Sequence, residues 1–167
     1  MTDEQITLKK WIDESNYIVF FGGAGVSTES NIPDFRSTDG LYNQKYKYPP
    51  ETILSHSFFV QKPEEFYDFY RDKMIYTEAK PNKAHYALAG LEKQGKLKAV
   101  ITQNIDGLHQ AAGSKSVYEL HGTIMKNYCT RCGREYPLST IIESRGIPRC
   151  QVKDETGGVC NGIIKPK

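Results

Sequence analysis

The sequence has no long run of hydrophobic residues and no excess of charge of one sign. Its 167 residues include 22 Lys and Arg and 20 Asp and Glu, which leaves a net charge of +2. A transmembrane helix needs about 20 consecutive apolar residues, and nucleic-acid or membrane-surface binding usually needs a strongly basic patch. We therefore expect no nucleic-acid partner and no membrane partner. The first fifteen residues are mixed and charged and show no signal peptide, so a cytoplasmic location is expected.

Cysteine is also scarce, and all four cysteines lie towards the C-terminus. Without an export signal, such a set favours metal binding over disulfides. The first pair has the two-residue spacing of a zinc knuckle, and four thiolates form a closed, structural site. Unligated thiols and a nucleic-acid-binding ribbon are the alternatives. We predict one structural zinc ion in an inserted module at 125–164, with a hairpin tip at Gly157-Gly158. Its ligands would be Cys129, Cys132, Cys150 and Cys160.

Short apolar runs alternate with helical patterns along the rest of the chain, which predicts an α/β fold with a parallel sheet. The first predicted strand, an uninterrupted apolar run at 17–21, is typical of a buried strand. Residues 31–50 have no periodicity and are expected to form a long functional loop. A capping box is predicted from Thr2 to Gln5. The other predicted elements are strands at 99–102 and 117–121 and helices at 2–15, from Pro63, from Asn82 to Gly95, and at 105–112.

Glycines follow the first predicted strand, in the order Gly22-Gly23-Ala24-Gly25, and a helix start comes next. This order is typical of a turn that lets the backbone approach a diphosphate. A purely structural turn is the alternative, because Gly-x-x-Gly is not the full dinucleotide fingerprint.

Polar residues follow the second and third predicted strands. Gln103, Asn104 and Asp106 come after the second strand, and His121 closes the third. In open α/β sheets, ligands bind outside the carboxyl ends of the strands. The alternative for Asn104 or Asp106 is a helix cap, and a lone histidine is more often structural. His85 and His109 receive no catalytic role from the sequence.

These segments together resemble the sirtuins, a family of NAD-dependent protein-lysine deacylases. The resemblance rests on the run from Gly22 to Ser37, the segment TQNIDGLH that ends at His109, the segment around His121 and the cysteine set. It implies a Rossmann-like domain at 1–124, a zinc module at 125–164 and a return to the large domain at 165–167. Further family strands would follow, so we expect a C-terminally truncated chain with a partial sheet. Its exposed edge is expected to allow self-association.

The resemblance also implies a reaction and roles for individual residues. Nicotinamide leaves the ribose of NAD, and the carbonyl oxygen of an acyl-lysine peptide or protein attacks the same carbon. Gln103 and Asn104 would orient the ribose, Asp106 with the Ile105 backbone would bind the carboxamide, and His121 would be the general base. The remaining residues implied in NAD binding are Gly22, Ala24, Gly25, Thr28, Phe35 and Arg36.

Three readings of the activity remain open at this point. They are a deacylase, an inactive zinc-binding interaction module and an NAD-dependent ADP-ribosyl transferase. Relatives that remove acidic acyl groups carry Tyr and Arg three residues apart, but here Tyr70 follows Tyr67 at that spacing and Arg71 comes one residue later. A neutral acyl group such as acetyl is therefore expected. The 167-residue chain alone is expected to be a poor catalyst, because NAD lies across both halves of such a sheet.

Overall fold

The computed structural model describes residues 1–35, 37, 40–41, 45–153 and 157–167. It divides into two compact units. The first unit combines Met1–Ile32 with Ala79–His121, and the second combines Pro33–Glu78 with Gly122–Lys167. Within the described residues, no helix has both the length and the apolar character to cross a membrane.

The secondary structure alternates between helices and strands, as predicted for an α/β chain. The helices are α1 (Asp3–Glu14), α2 (Pro50–Ile53), α3 (His56–Gln61), α4 (Pro63–Lys73), α5 (Lys83–Lys93), α6 (Leu108–Ala111) and α7 (Leu138–Glu143). The strands are β1 (Ile18–Gly22), β2 (Leu97–Thr102), β3 (Val117–Glu119), β4 (Lys126–Cys129), β5 (Glu135–Pro137) and β6 (Ile164–Pro166). The described part of 31–49 holds neither an α-helix nor a strand.

The first unit is built on a parallel sheet with the strand order β1-β2-β3. Helix α5 packs against β2. The predicted capping box of α1 is confirmed: the Thr2 hydroxyl accepts from Gln5 N, and the Gln5 side chain accepts from Thr2 N. At the other end of α1, the Lys96 ammonium donates to the carbonyls of Ile12 and Asp13, at 2.9 and 2.8 Å. These contacts satisfy backbone groups that a helix leaves unpaired at its ends.

The expectation of a fully buried first strand is wrong for β1. Burial alternates along it, and Val19 and Phe21 are 50% and 62% exposed. Phe21 lies in register with Ile101 of β2, and Ile101 with Tyr118 of β3, which is also exposed. Neighbours in register point to the same face, so one face of the sheet is apolar and open. The sequence could not show that one face of β1 is exposed, because apolar residues occupy both faces of the strand.

The second unit combines an aromatic helical cluster with an antiparallel sheet of order β5-β4-β6. Helix α4 begins at Pro63, as predicted. The Phe66 ring meets Phe59 and Tyr67 edge to face, with centroids 5.1 and 5.2 Å apart, an arrangement that aromatic quadrupoles favour. Lys153 and Val159 form an antiparallel bridge on either side of the predicted hairpin tip, whose residues 154–156 lie outside the described residues.

Two predicted element boundaries need correction. The helix predicted at 105–112 spans only Leu108–Ala111, because Gly107 adopts a left-handed conformation that cannot continue a helix. The third strand ends at Glu119, so His121 lies in the following turn. Ile164–Pro166 pairs with β4, which places Lys165 and Pro166 in the antiparallel sheet of the second unit. The division into 1–124, 125–164 and 165–167 stays a prediction.

Candidate functional site

The glycine turn after β1 continues into two short 3-10 turns, Ala24–Val26 and Thr28–Ser30. A Cβ added at Gly23 would lie 2.9 Å from the Gln103 side-chain oxygen, so glycine permits this close approach. A Cβ at Gly25 would meet nothing within 4 Å. Gly25 and Thr28 are exposed, and the Thr28 hydroxyl donates to Gly25 O at 3.0 Å. The turn therefore presents backbone to open space, which is what an approaching diphosphate requires.

Ser27 joins the glycine turn to the polar end of β2. Its hydroxyl donates to a carboxylate oxygen of Asp106 at 2.7 Å and accepts from the Asn104 amide at 3.0 Å. Ser27 is buried, whereas Asn104 and Asp106 are half-buried. The fold thus brings two predicted segments into one hydrogen-bonded network. The sequence offered only one signal for Ser27, which is its position inside the run from Gly22 to Ser37.

Asp106 also has the capping role that sequence reasoning left as its alternative. Its second carboxylate oxygen accepts from Leu108 N at 2.9 Å, at the start of α6. Each oxygen of an ionised carboxylate offers two lone pairs. Both oxygens can therefore keep these bonds and accept one more donor each.

A buried histidine pair lies in the same unit and was missed by sequence reasoning. The rings of His85 and His109 are 4.7 Å apart, and both side chains are almost wholly buried. His85 Nδ1 accepts from Asn82 N at 3.2 Å, which closes the N-terminal cap of α5. His85 Nε2 and both nitrogens of His109 have no partner within the described part of the chain. Buried polar groups without a partner are rare in proteins, so this pair is an unusual feature of the first unit.

Burial determines the protonation state of this pair. Desolvation lowers the pKa of His85, and the nearby charge of Asp106 only partly opposes it. Desolvation, together with the proximity of His85, lowers the pKa of His109. Both rings are therefore neutral near neutral pH, and each offers one N–H donor and one acceptor nitrogen.

The other predicted residues of the NAD site differ in exposure and in the compact unit to which they belong. His121 is exposed in the turn after β3. Gln103 is exposed beside Gly23, and Ile105 is half-buried between Asn104 and Asp106. Phe35 belongs to the second unit and is half-buried. Arg36 lies outside the described residues.

The four cysteines converge in the second unit. Their sulfur atoms all lie within 4.8 Å of one another. The Cys129–Cys160 and Cys132–Cys150 sulfur pairs are each separated by 3.7 Å. A tetrahedral zinc ion with Zn–S bonds of about 2.3 Å would hold its sulfurs about 3.8 Å apart. The donor set and its spacing therefore fit zinc.

Arg71 of α4 is fully engaged within the second unit. Its guanidinium donates to Ile141 O and to the Ser144 hydroxyl, each at 2.9 Å, and it also contacts Gly146 O. The same group lies 5.4 Å from the centre of the Tyr67 ring. The Tyr67 hydroxyl donates in turn to Ile164 O. Arg71 thus ties α4 to the end of α7.

Comparison with known proteins gives a consistent result. The model of the Sir2 family matches residues 23–167. The NAD-dependent protein deacetylase of Clostridium acetobutylicum is 59% identical over 99% of this chain, and that of Clostridium perfringens is 56% identical over 99%. The chain covers 66% of each of these relatives.

Solved structures agree with the relatives. A Sir2 structure with a deacetylated peptide and 3′-O-acetyl-ADP-ribose has a TM-score of 0.83 and 42% identity, covering 100% of this chain and 64% of that one. A Sir2 protein bound to a propionylated peptide has a TM-score of 0.78 and 41% identity, covering 99% and 62%. The Rossmann-like parallel sheet and the cysteine cluster are those of this family. On the family match and on these identities, the chain belongs to the Sir2 family, the sirtuins.

Proposed function

We propose that this protein contributes the nicotinamide side of an NAD-dependent protein-lysine deacylase. The observation that carries the proposal is the Asn104–Ser27–Asp106 network beside the open glycine turn. It lies at the carboxyl ends of neighbouring parallel strands, where α/β sheets bind ligands. The names of the relatives, NAD-dependent protein deacetylases, support the same reaction.

The glycine turn would receive the diphosphate of NAD. Gly25 presents its backbone to open space, and Gly22 closes β1 just before the turn. Ala24 and Thr28 lie on the two 3-10 turns beyond it. Small residues here leave room that a larger side chain would fill. The family resemblance also implies a role for Phe35 and Arg36 at the nicotinamide ribose.

The Ser27 network would hold the nicotinamide ribose and carboxamide. Asp106 would accept from the carboxamide N–H, since it retains unused acceptor capacity, and the Ile105 backbone N–H would donate to the carboxamide oxygen. Asn104 would orient the ribose hydroxyls together with Gln103. NAD itself supplies an activated ribose carbon when bound, and these side chains serve to position it.

His121 would act as the general base. Histidine is the side chain most often used as a general base, and His121 is exposed to solvent in the turn after β3. It would remove a proton from a ribose hydroxyl while the acyl group moves from lysine to the sugar. Water then completes the release of free lysine.

The acyl group is expected to be neutral, with acetyl the first choice. An acidic acyl group would need a free cation to pair with its carboxylate. Arg71 already donates to the 141–146 segment and stacks on Tyr67, and Tyr70 is buried. Competing acetyl-lysine and succinyl-lysine peptides provide the test, and faster turnover of the succinyl peptide would contradict this assignment.

Zinc would be structural in this protein. Cys129, Cys132, Cys150 and Cys160 would occupy all four positions of a tetrahedral ion and leave none for substrate. A bound zinc ion would stabilise the second unit directly, because such a site hardly exists in an unfolded chain.

Self-association and location complete the proposal. The exposed edge of the parallel sheet β1-β2-β3 would favour pairing of this chain with another copy. Analytical ultracentrifugation at several concentrations tests this, and a monomer throughout would contradict it. We further propose that the protein acts in the cytoplasm on acyl-lysine proteins.

The deciding experiment combines an acetyl-lysine peptide, NAD and mass spectrometry of both products. Deacetylated peptide with an equal amount of O-acetyl-ADP-ribose is expected from a protein that also carries the remaining strands of the family sheet, and little product is expected from the 167-residue chain alone. An ADP-ribosylated peptide would instead indicate a transferase. If the protein neither releases nicotinamide nor binds NAD, the function that remains is a zinc-binding interaction module.

A further inference from the structure

Tyr136, which no step above uses, lies against the cysteine cluster. Its hydroxyl is 3.0 Å from the sulfur of Cys150. Cys150 is completely buried, whereas Tyr136 is half-buried on β5. A buried sulfur receives little help from water, so it depends on nearby donors such as this hydroxyl and the Val152 backbone N–H.

The direction of this hydrogen bond follows from the chemistry of a zinc ligand. A thiolate bound to zinc has no proton to give, so the Tyr136 hydroxyl donates and Cys150 accepts. Four thiolates around one Zn²⁺ carry a net charge of −2. Hydrogen-bond donors around the ligands are needed to stabilise that charge in a buried site.

Such donors are divided between the two halves of the cluster. The backbone amides of Arg131 and Cys132 both donate to Cys129 Sγ, each at 3.4 Å. These two bonds belong to the knuckle itself and come with its turn. Cys150 lies eighteen residues beyond Cys132, and its side-chain donor comes from β5.

The β4–β5 hairpin holds Tyr136 in place. Tyr136 lies opposite Asn127 of β4 in the antiparallel register. Asn127 is buried, and its amide donates to Ile124 O at 3.3 Å and, more weakly, to Tyr136 O at 3.5 Å. The backbone that carries Tyr136 is therefore fixed, and the hydroxyl is presented to Cys150 without much loss of entropy.

We propose that Tyr136 is a positioning residue of the zinc site, whose hydroxyl holds the Cys150 thiolate and slows both zinc loss and attack on that sulfur. The inference rests on the proposed zinc site. Outer-sphere partners of metal ligands typically change metal affinity by about 10–100-fold when they are removed. The hydroxyl also links the second cysteine pair to the hairpin that carries the first.

The test compares zinc release from the wild-type chain and from Tyr136→Phe to a colorimetric chelator. Release from Tyr136→Phe is expected to be about tenfold faster or more, and alkylation of Cys150, located by peptide mass mapping, is expected to speed up as well. Tyr128→Phe is the matched control, because Tyr128 lies on the adjacent strand with its ring beneath Lys165. Its release rate should equal that of the wild type.

A spectroscopic measurement separates a hydrogen bond from a packing effect. In the cobalt-substituted protein, loss of a donor to one thiolate moves the sulfur-to-metal charge-transfer band to lower energy, and packing changes elsewhere do not. If Tyr136→Phe fails to fold, 3-fluorotyrosine at position 136 provides the second variant. Its more acidic hydroxyl should slow zinc release.

The outcomes are distinct. Wild-type protein without about one equivalent of zinc would overturn the zinc site itself. Normal zinc content with equal release from wild type and Tyr136→Phe, and an unshifted cobalt band, would overturn the role of Tyr136 alone.

Discussion

Replacement of Ser27 by alanine tests whether the network at the end of β2 is a working unit. The Ser27 hydroxyl both donates to Asp106 and accepts from Asn104. Alanine removes one donor and one acceptor from a buried position and changes little else. The Asp106 carboxylate and the Asn104 amide then each lose one partner and can replace it only with water.

The size of the effect follows from these two bonds. A hydrogen bond to a charged group contributes about 1.5–3 kcal/mol, and a neutral one about 0.5–1.5 kcal/mol. Asp106 and Asn104 are only half-buried, so water should replace part of what is lost. We expect the free energy of unfolding to fall by about 1–3 kcal/mol. For a chain of this size, that corresponds to a decrease in Tm of about 2–12 °C.

Urea unfolding followed by circular dichroism measures this change. Thr28→Ala is the matched control, because its exposed hydroxyl makes one bond to Gly25 O, and its effect should stay within about 0.5 kcal/mol. The double variant of Ser27→Ala with Asp106→Asn should show a coupling energy of at least about 0.5 kcal/mol. Wild-type stability in Ser27→Ala, or strict additivity in the double variant, would refute the network. NAD titrations of the same variants would show whether the network also binds the cofactor.

Three further predictions concern the metal, the base and the histidine pair. Metal analysis should find about one zinc per chain, and Cys129→Ser should lose both the zinc and the ordered structure of the second unit; a fully folded, zinc-free Cys129→Ser would contradict this. In a protein that also carries the remaining family strands, His121→Ala should lower deacetylation about 10²–10⁴-fold without changing the unfolding free energy, since the side chain is exposed; full turnover there would remove its role as base. Because burial lowers the pKa of His85 and His109, the unfolded chain binds more protons below about pH 6.5 and stability falls as the pH falls. The decrease in the free energy of unfolding between about pH 7 and about pH 5.5, measured at constant zinc content, should be smaller in His109→Asn than in the wild type. An equal decrease would assign the pH dependence to other groups.

Local patterns predicted much of this fold. The Thr2–Gln5 capping box, the Pro63 start of α4 and the Asn82 cap of α5 were all predicted, because each depends on residues within a few positions of one another. Asn31 ends its 3-10 turn in a left-handed conformation, which asparagine tolerates better than most residues. The order of strands and glycines also indicated a parallel sheet.

Features that depend on distant contacts were predicted less well. The exposure of Phe21 depends on what covers the sheet, and residue types alone cannot show that. The buried pairing of His85 with His109 requires α5 and α6 to pack together. The contact between Tyr136 and Cys150 joins a hairpin to a loop fourteen residues away.

The sequence by itself determined the family, the order of the elements, and the candidate residues of the zinc and NAD sites. These are properties of residue type and spacing along the chain. The tertiary structure decided which of these side chains meet: Ser27 with Asp106 and Asn104, Arg71 with the 141–146 segment, and Tyr136 with Cys150. The physical reason is that hydrogen bonds act over about 3 Å, and only the packing of whole elements sets distances that short between residues far apart in sequence.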